Sequence, residues 1–262
     1  MPATRPRWIW DIVVAAGANA VRLRRAAATE ATATVATGTY RVIGSVAGSD
    51  LLLAVKTAFE AAIGGGFVLT PSVLTTTPGG RVRLSANQTF GMLWTNAATT
   101  WDDTPSSGFN PMGFVTSADD TGASSYDADN QHSSGWYPDT EPERDDGDDE
   151  SHSQVSTTQA MGGIRRTLQW GTFAHRNVTI GFLERRKVFA AAATQFEDFR
   201  TEFYAWARQG RRLYYYADAT ATTGEGSYVI RDEGWMENWP MDLQFKSVER
   251  YRVAVPMQTY VT

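Results

Sequence analysis

The residues able to do chemistry are few, and their spacing argues against most of the chemistry they could do. There are three histidines, His132, His152 and His175, and no cysteine. A metal-binding pair on one element would follow HExxH or HxH spacing, and none of these histidines does. His132 and His152 lie in polar stretches and are expected to face solvent. Without cysteine there is no thiolate ligand, no sulfur nucleophile and no disulfide framework. Gly122-Ala123-Ser124-Ser125-Tyr126 lacks the second glycine that turns a serine outward in a nucleophile elbow. No glycine-rich stretch runs into Gly-Lys-Ser/Thr, and Gly224-Glu225-Gly226 lacks the third glycine of a dinucleotide fingerprint, so it reads as a turn. Clustered carboxylates between Asp139 and Glu150 could attract a hard cation. However, Asp145-Asp146-Gly147-Asp148 is too compressed for the alternating acids of a calcium loop. Two carboxylates could hydrolyse a glycoside, but with 29 acids in the chain no pair stands out. Trp94, Trp101, Trp136 and Tyr137 could stack on sugar rings. The reading preferred here is that they pack a loop onto a sheet or fill a subunit interface. The sequence therefore nominates no catalytic, cofactor-binding or metal-ligating residue, and the chain is expected not to be an enzyme.

Composition points the same way. A chain of 262 residues with 42% hydrophobic side chains can build a substantial core. Aromatics reach 12%, more than a core readily absorbs, which favours an interface or a ligand groove. The net charge of −5 is uneven: residues 139–150 hold eight acids against Arg144, a local −7, leaving +2 for the rest. No basic patch suggests nucleic acid. No run of about 18 apolar residues suggests a membrane span. Arg5 and Arg7 precede an apolar stretch, and Ala18-Asn19-Ala20 resembles a cleavage site, but Asp11 interrupts the stretch and argues against a signal peptide.

The elements that would hold such residues are mostly strands. Thr and Ala alternate from Thr29 to Thr39, and Tyr40 to Ile43 continues the pattern. A helix should follow, capped by Ser49 or Asp50, with Leu52, Val55, Phe59 and Ala62 on one face and Gly64-Gly65-Gly66 as its stop. Short strands are expected at Phe67 to Leu69, at Arg81 to Ser85 after the Pro78-Gly79-Gly80 turn, and at Phe90 to Trp94. From Asn96 to Thr158 the periodicity fails, and residues 139–158 read as a linker or extended loop. Beyond it, Ile164 to Phe173 and Val178 to Phe189 read as two strands with a turn near His175-Arg176-Asn177. A second helix begins at the capping box Thr194-Gln195-Phe196-Glu197, buries Phe196, Phe199, Phe203 and Trp206, and stops at Gly210. Strands at Arg211 to Tyr216 and Tyr228 to Arg231 and an alternating stretch from Leu243 to Met257 complete the chain. Tyr215 should face away from Tyr214 and Tyr216. The expected fold class is β-rich α+β, with antiparallel sheets or sandwiches each packed with one helix, plus a long irregular loop region. The expected division is an N-terminal β-rich domain over 1–138, an acidic linker over 139–158 and a C-terminal β-rich domain over 159–262.

The C-terminal half carries a resemblance. Phe199-x-x-x-Phe203, Trp206 and Gly210 lead into Arg211-Arg212-Leu213-Tyr214-Tyr215-Tyr216-Ala217-Asp218. The stretch then continues through Tyr228 to Tyr251-Arg252-Val253-Ala254-Val255. This helix–glycine–strand segment resembles distal-tail and minor tail proteins of long-tailed bacteriophages. In the N-terminal half, Leu51-Leu52, Phe59, Arg81 to Ser85, Phe90-Gly91-Met92-Leu93-Trp94 and Met112-Gly113-Phe114 are similar to a module of phage virion proteins. Together the two likenesses touch about two-thirds of the chain. They imply a virion structural protein, assembled in the host cytoplasm, that forms a three- or six-fold homo-oligomeric ring and bridges other phage tail proteins. Head decoration, a head–tail connector, or an adhesion module that binds host glycan are the alternative roles.

Overall fold

The computed structural model describes residues 7–25, 29–44, 48, 50–74, 80–101, 111–137, 150–159, 165–182, 207, 212–216, 227–230 and 251–259. In chain order the elements are β1 (Arg7–Ile9), β2 (Ile12–Val14), β3 (Ala20–Arg25), β4 (Glu30–Thr34), β5 (Gly38–Tyr40), α1 (Leu51–Ile63), β6 (Leu69–Leu74), β7 (Arg81–Leu93), β8 (Asp120–Asp127), β9 (Gly135–Trp136), β10 (Glu150–Gln159), β11 (Arg165–Phe182), β12 (Leu213–Tyr216), β13 (Ser227–Ile230) and β14 (Tyr251–Thr259). The fold is β-rich α+β, with antiparallel sheets and one helix among the described residues.

Helix α1 forms where its end groups are satisfied. Asp50 is extended, and its Oδ1 accepts from the Leu52 amide at 2.9 Å. Oδ2 of the same carboxylate accepts from the amides of Gly44 at 2.8 Å and Ile43 at 3.2 Å. One side chain therefore starts the helix and fixes the loop before it. Gly64 closes the helix at φ 61°, and its N–H reaches Glu60 O at 2.9 Å. Leu51, Leu52, Val55 and Phe59 are buried on the face turned to the sheet. Each is worth about 1.5–3 kcal/mol relative to exposure.

That sheet is built around β7. Along one edge β7 pairs β6 through Arg81 to Ala86 and then β3 through Phe90 to Leu93. Along the other it pairs β8. Strand β4 lies outside β3, and β6 carries Pro71 opposite Leu84. Proline lacks the N–H of an inner strand, which suits β6 to a position with a partner on one side only. The two short strands expected at Arg81 to Ser85 and Phe90 to Trp94 are thus one strand. The intervening Asn87 is held at the helix exit, accepting from Val68 N at 3.0 Å and donating to Gly66 O at 2.9 Å. The core under α1 gathers Val21, Leu23, Val35, Leu69, Val82, Leu84, Phe90 and Met92 with the helix face.

The second sheet has seven strands in the order β10-β11-β14-β13-β12-β1-β9. The pairs Arg7↔Tyr216, Trp8↔Tyr215 and Ile9↔Tyr214 join a strand from the chain's start to one near its end, so hydrogen bonds run between the two regions divided in the sequence reading. Strands β2 and β5 form a separate two-stranded ribbon.

Three differences from the sequence reading have physical causes. The stretch from 96 to 158 contains β8, β9 and most of β10. Strand β8 is exposed or half-exposed along its whole length, so no apolar alternation marks it. The segment read as a linker is strand from Glu150 onward, and residues 139–149 lie outside the described residues. His175-Arg176-Asn177 is not a turn: these residues pair with Gln258, Met257 and Pro256 in the middle of an unbroken β11. Of the second helix only Ala207 is described, helical and buried; Phe196, Phe199, Phe203 and Trp206 lie outside the described residues.

Candidate assembly interface and the buried seam

Strand alternation sends successive side chains of β1 to opposite faces, and both faces are buried. On one, Trp8 meets Trp136 at 5.5 Å and Tyr215 at 5.3 Å between ring centroids, both tilted. On the other, Arg7 and Ile9 lie with Tyr137, Tyr214 and Tyr216. The tyrosine triplet divides as alternation demands, with Tyr215 against Trp8 and its two neighbours against Ile9.

Arg7 is the most unusual member of this seam, a fully buried guanidinium. It donates to Ile43 O at 2.9 Å and to Tyr137 Oη at 3.3 Å, and it lies 4.7 Å from the centre of the Tyr216 ring. Hydrogen bonds and aromatic faces together lower the cost of keeping a charge out of water. Arg41 and Arg212 lie against Tyr214 at 3.9 and 4.9 Å.

His132, expected in solvent, is buried in the same seam. Its Nε2 lies 2.9 Å from Tyr137 Oη and its Nδ1 lies 3.2 Å from Ser134 Oγ. Arg7 can only donate to the tyrosine oxygen; with the tyrosine hydrogen directed at His132 Nε2, the ring proton sits on Nδ1 and faces Ser134 Oγ. Ser134 Oγ also accepts from Val42 N at 3.0 Å. Burial, reinforced by the nearby Arg7 charge, drops the His132 pKa to about 3. Burial also pushes the Tyr137 hydroxyl up to about 12, against the opposing pull of Arg7. The polar sequence around His132 gave no hint of this, because the groups that enclose its local partners Ser134 and Tyr137 are brought in from elsewhere, Arg7 from β1 and Val42 from the segment between β5 and α1. His152 lies in β10 and His175 in β11, paired with Phe173 and Glu150 respectively.

The aromatics weighed as sugar platforms are all enclosed. Trp94, Trp101, Trp136 and Tyr137 are each at most 6% exposed. Trp94 stacks on Phe114 at 5.7 Å and donates to Asp120 Oδ2 at 2.8 Å. Burial raises the Asp120 pKa, with the Trp94 bond opposing and Asp129 and Asp119 adding repulsion. These rings offer no face to a ligand in this structure. Ser124 and Ser125 lie on β8, away from His132 and its partners, and Ser125 Oγ meets Ser85 Oγ at 2.8 Å.

The feature best placed to meet another molecule lies at the other end of the seven-stranded sheet. Strand β10 pairs ten residues, Glu150 to Gln159, with Arg165 to His175 of β11. Strand β14 begins its pairing with β11 only at His175 and runs to Phe182. Arg165 to Ala174 and β10 therefore form a two-stranded ribbon about 33 Å long that runs past the rest of the sheet. Among the described residues neither outer edge of this ribbon has a strand partner. The ladder shifts register once, between Gln154 and Val155, where Trp170 is the extra residue on β11. The β11 half of the ribbon is the strand expected at Ile164 to Phe173, whereas no sequence signal marked the β10 half, because a Ser/Thr/Gln-rich strand looks like a loop until its partner is known. Among the described residues no helix is long and apolar enough to cross a membrane. No protein-family model matches the chain, and no curated protein matches it.

Proposed function

We propose that this chain is a structural protein of a long-tailed phage tail, nearest to a distal-tail or minor tail component, that assembles into a ring and bridges neighbouring tail proteins. The observation that carries the reading is the β10–β11 ribbon, whose two outer edges have no strand partner among the described residues. An isolated two-stranded ribbon is marginal in water, and unpaired strand edges are templates for another chain. Edges that stay free are usually guarded by lysine or proline, and β10 contains neither. The β10 edge of one copy can take the β11 edge of the next. Such a contact is head-to-tail, so it closes a ring when the rotation per copy divides the circle. The aromatic helix–glycine–tyrosine strand pattern of the C-terminal half supports the same family of proteins. The absence of cysteine suits assembly in a reducing host cytoplasm, from which the protein would pass into the virion.

The test is to place lysine on the open edge, as S153K/T157K, and to compare assembly with the parent chain. The variant should keep its β-rich circular dichroism and lose self-association at equal concentration. Unchanged association would take the ribbon out of the interface.

A further inference from the structure

The seam around His132 joins parts of the chain that have no other reason to move together. His132 N donates to Gly80 O at 2.9 Å, Ser133 N to Pro111 O at 2.9 Å and Trp10 N to Ser134 O at 2.8 Å. Ser134 Oγ holds Val42, and the next two amides, Ile43 and Gly44, are held by Asp50 at the head of α1. Strand β9 is the shortest strand among the described residues, two residues at the edge of the sheet, and the pairs Trp8↔Trp136 and Ile9↔Gly135 are its ladder. It covers Trp8. Packing around it is tight: a Cβ on Gly135 would lie 2.6 Å from His132 Cε1 and 2.8 Å from Ile9 Cδ1.

We infer that His132 is an acid-sensitive latch: when its imidazole takes a proton, strand β9 leaves β1 and uncovers Trp8 and the β1 edge. The charged and titratable groups around the ring are Arg7 from β1, Tyr137 just beyond β9, Tyr214 and Tyr216 from β12, Asp50 before α1, and Arg41 against Tyr214. Arg7 already donates to the hydroxyl that His132 accepts from. A proton taken from water onto Nε2 turns that nitrogen into a donor. Tyr137 Oη then faces two cationic donors, and its own hydrogen loses the imidazole as acceptor. Asp50 offers little relief, since its two oxygens already receive three backbone amides. The imidazolium is hydrated most cheaply by releasing the element with the fewest ladder bonds, which is β9. Because the opened state carries a histidine of ordinary pKa, each step toward acid shifts the opening equilibrium toward release.

The experiment is hydrogen exchange of the full chain between pH 7.5 and pH 5, followed by mass spectrometry and corrected for the intrinsic pH dependence of exchange. Protection over residues 132–137 and at Trp10 should fall about thirtyfold across that range, the ratio set by an opened-state histidine pKa of about 6.5. Protection in α1 should hold. In H132Q, whose amide oxygen can still accept from Tyr137, protection over 132–137 should not depend on pH. If H132Q does not fold, the wild-type chain still decides the matter. Protection that stays constant over 132–137, or that falls equally there and in α1, overturns the latch.

Discussion

Replacing Asp50 with alanine tests whether one buried carboxylate organises both α1 and the strand before it. The side chain is fully buried, and its oxygens receive the amides of Leu52, Gly44 and Ile43 at 2.9, 2.8 and 3.2 Å. Loss of a helix cap alone costs about 1 kcal/mol. Each of the other two amides is left without this acceptor in a partly buried site, at about 1–2 kcal/mol each. Water entering the space vacated by the carboxylate recovers part of this. D50A should therefore lose about 3–5 kcal/mol, a large share of the ~5–15 kcal/mol by which domains are stable. D50N keeps one oxygen but points an N–H₂ group at amide donors, so it should lose about half as much. Urea unfolding followed by circular dichroism, with T34A on the exposed face of β4 as control, measures the difference. A loss below about 1 kcal/mol for D50A, with an unchanged urea slope, would refute the claim that this carboxylate carries three structural bonds.

Other substitutions separate effects that the structure keeps apart. Gly80 and Gly17 have φ of 80° and 82°, but a Cβ on Gly80 would lie 2.5 Å from the Tyr137 ring while one on Gly17 meets nothing within 4 Å. G17A should cost about 1–2 kcal/mol from backbone strain alone, and G80A about 3 kcal/mol or more, because an overpacked contact is added in urea unfolding. W8A removes a buried ring between Trp136 and Tyr215 and should cost about 3–5 kcal/mol, with loss of near-ultraviolet circular dichroism. D120N keeps an acceptor for Trp94 Nε1 and removes a carboxylate whose pKa is raised. A raised carboxyl pKa means the native state holds its proton longer than the unfolded chain, so wild-type stability falls as pH rises through that pKa. D120N should thus gain on the wild type between pH 3 and pH 6, measured by thermal unfolding at each pH; a constant difference would contradict the assignment.

How legible the molecule was in its sequence depended on whether each element carries its own signal. Helix α1 was legible because Asp50, Val55, Phe59 and Gly64 announce a cap, a face and a stop within one stretch. The triplet Tyr214-Tyr215-Tyr216 was legible because alternation fixes its two faces. Strand β8 was not, since Asp120 to Asp127 is half-exposed or more throughout and has no buried face to pattern. Strand β10 was hidden for a related reason: Ser, Thr and Gln form a strand there only because β11 supplies a ladder. His175-Arg176-Asn177 looked like a turn because local chemistry favours one, yet pairing with β14 overrides it. The seam around His132 was the least legible. Its members come from positions 7, 42, 132, 134, 137 and 216, a juxtaposition that only the tertiary pairing of β1 with β12 and β9 creates.

Self-assembly through the β10–β11 ribbon is the property on which the proposed role rests. Light scattering of the purified chain over a range of concentrations measures it most directly. The expected result is a discrete mass of three or six copies that persists on dilution and is lost in S153K/T157K. A strict monomer at every concentration would contradict self-assembly of the isolated chain.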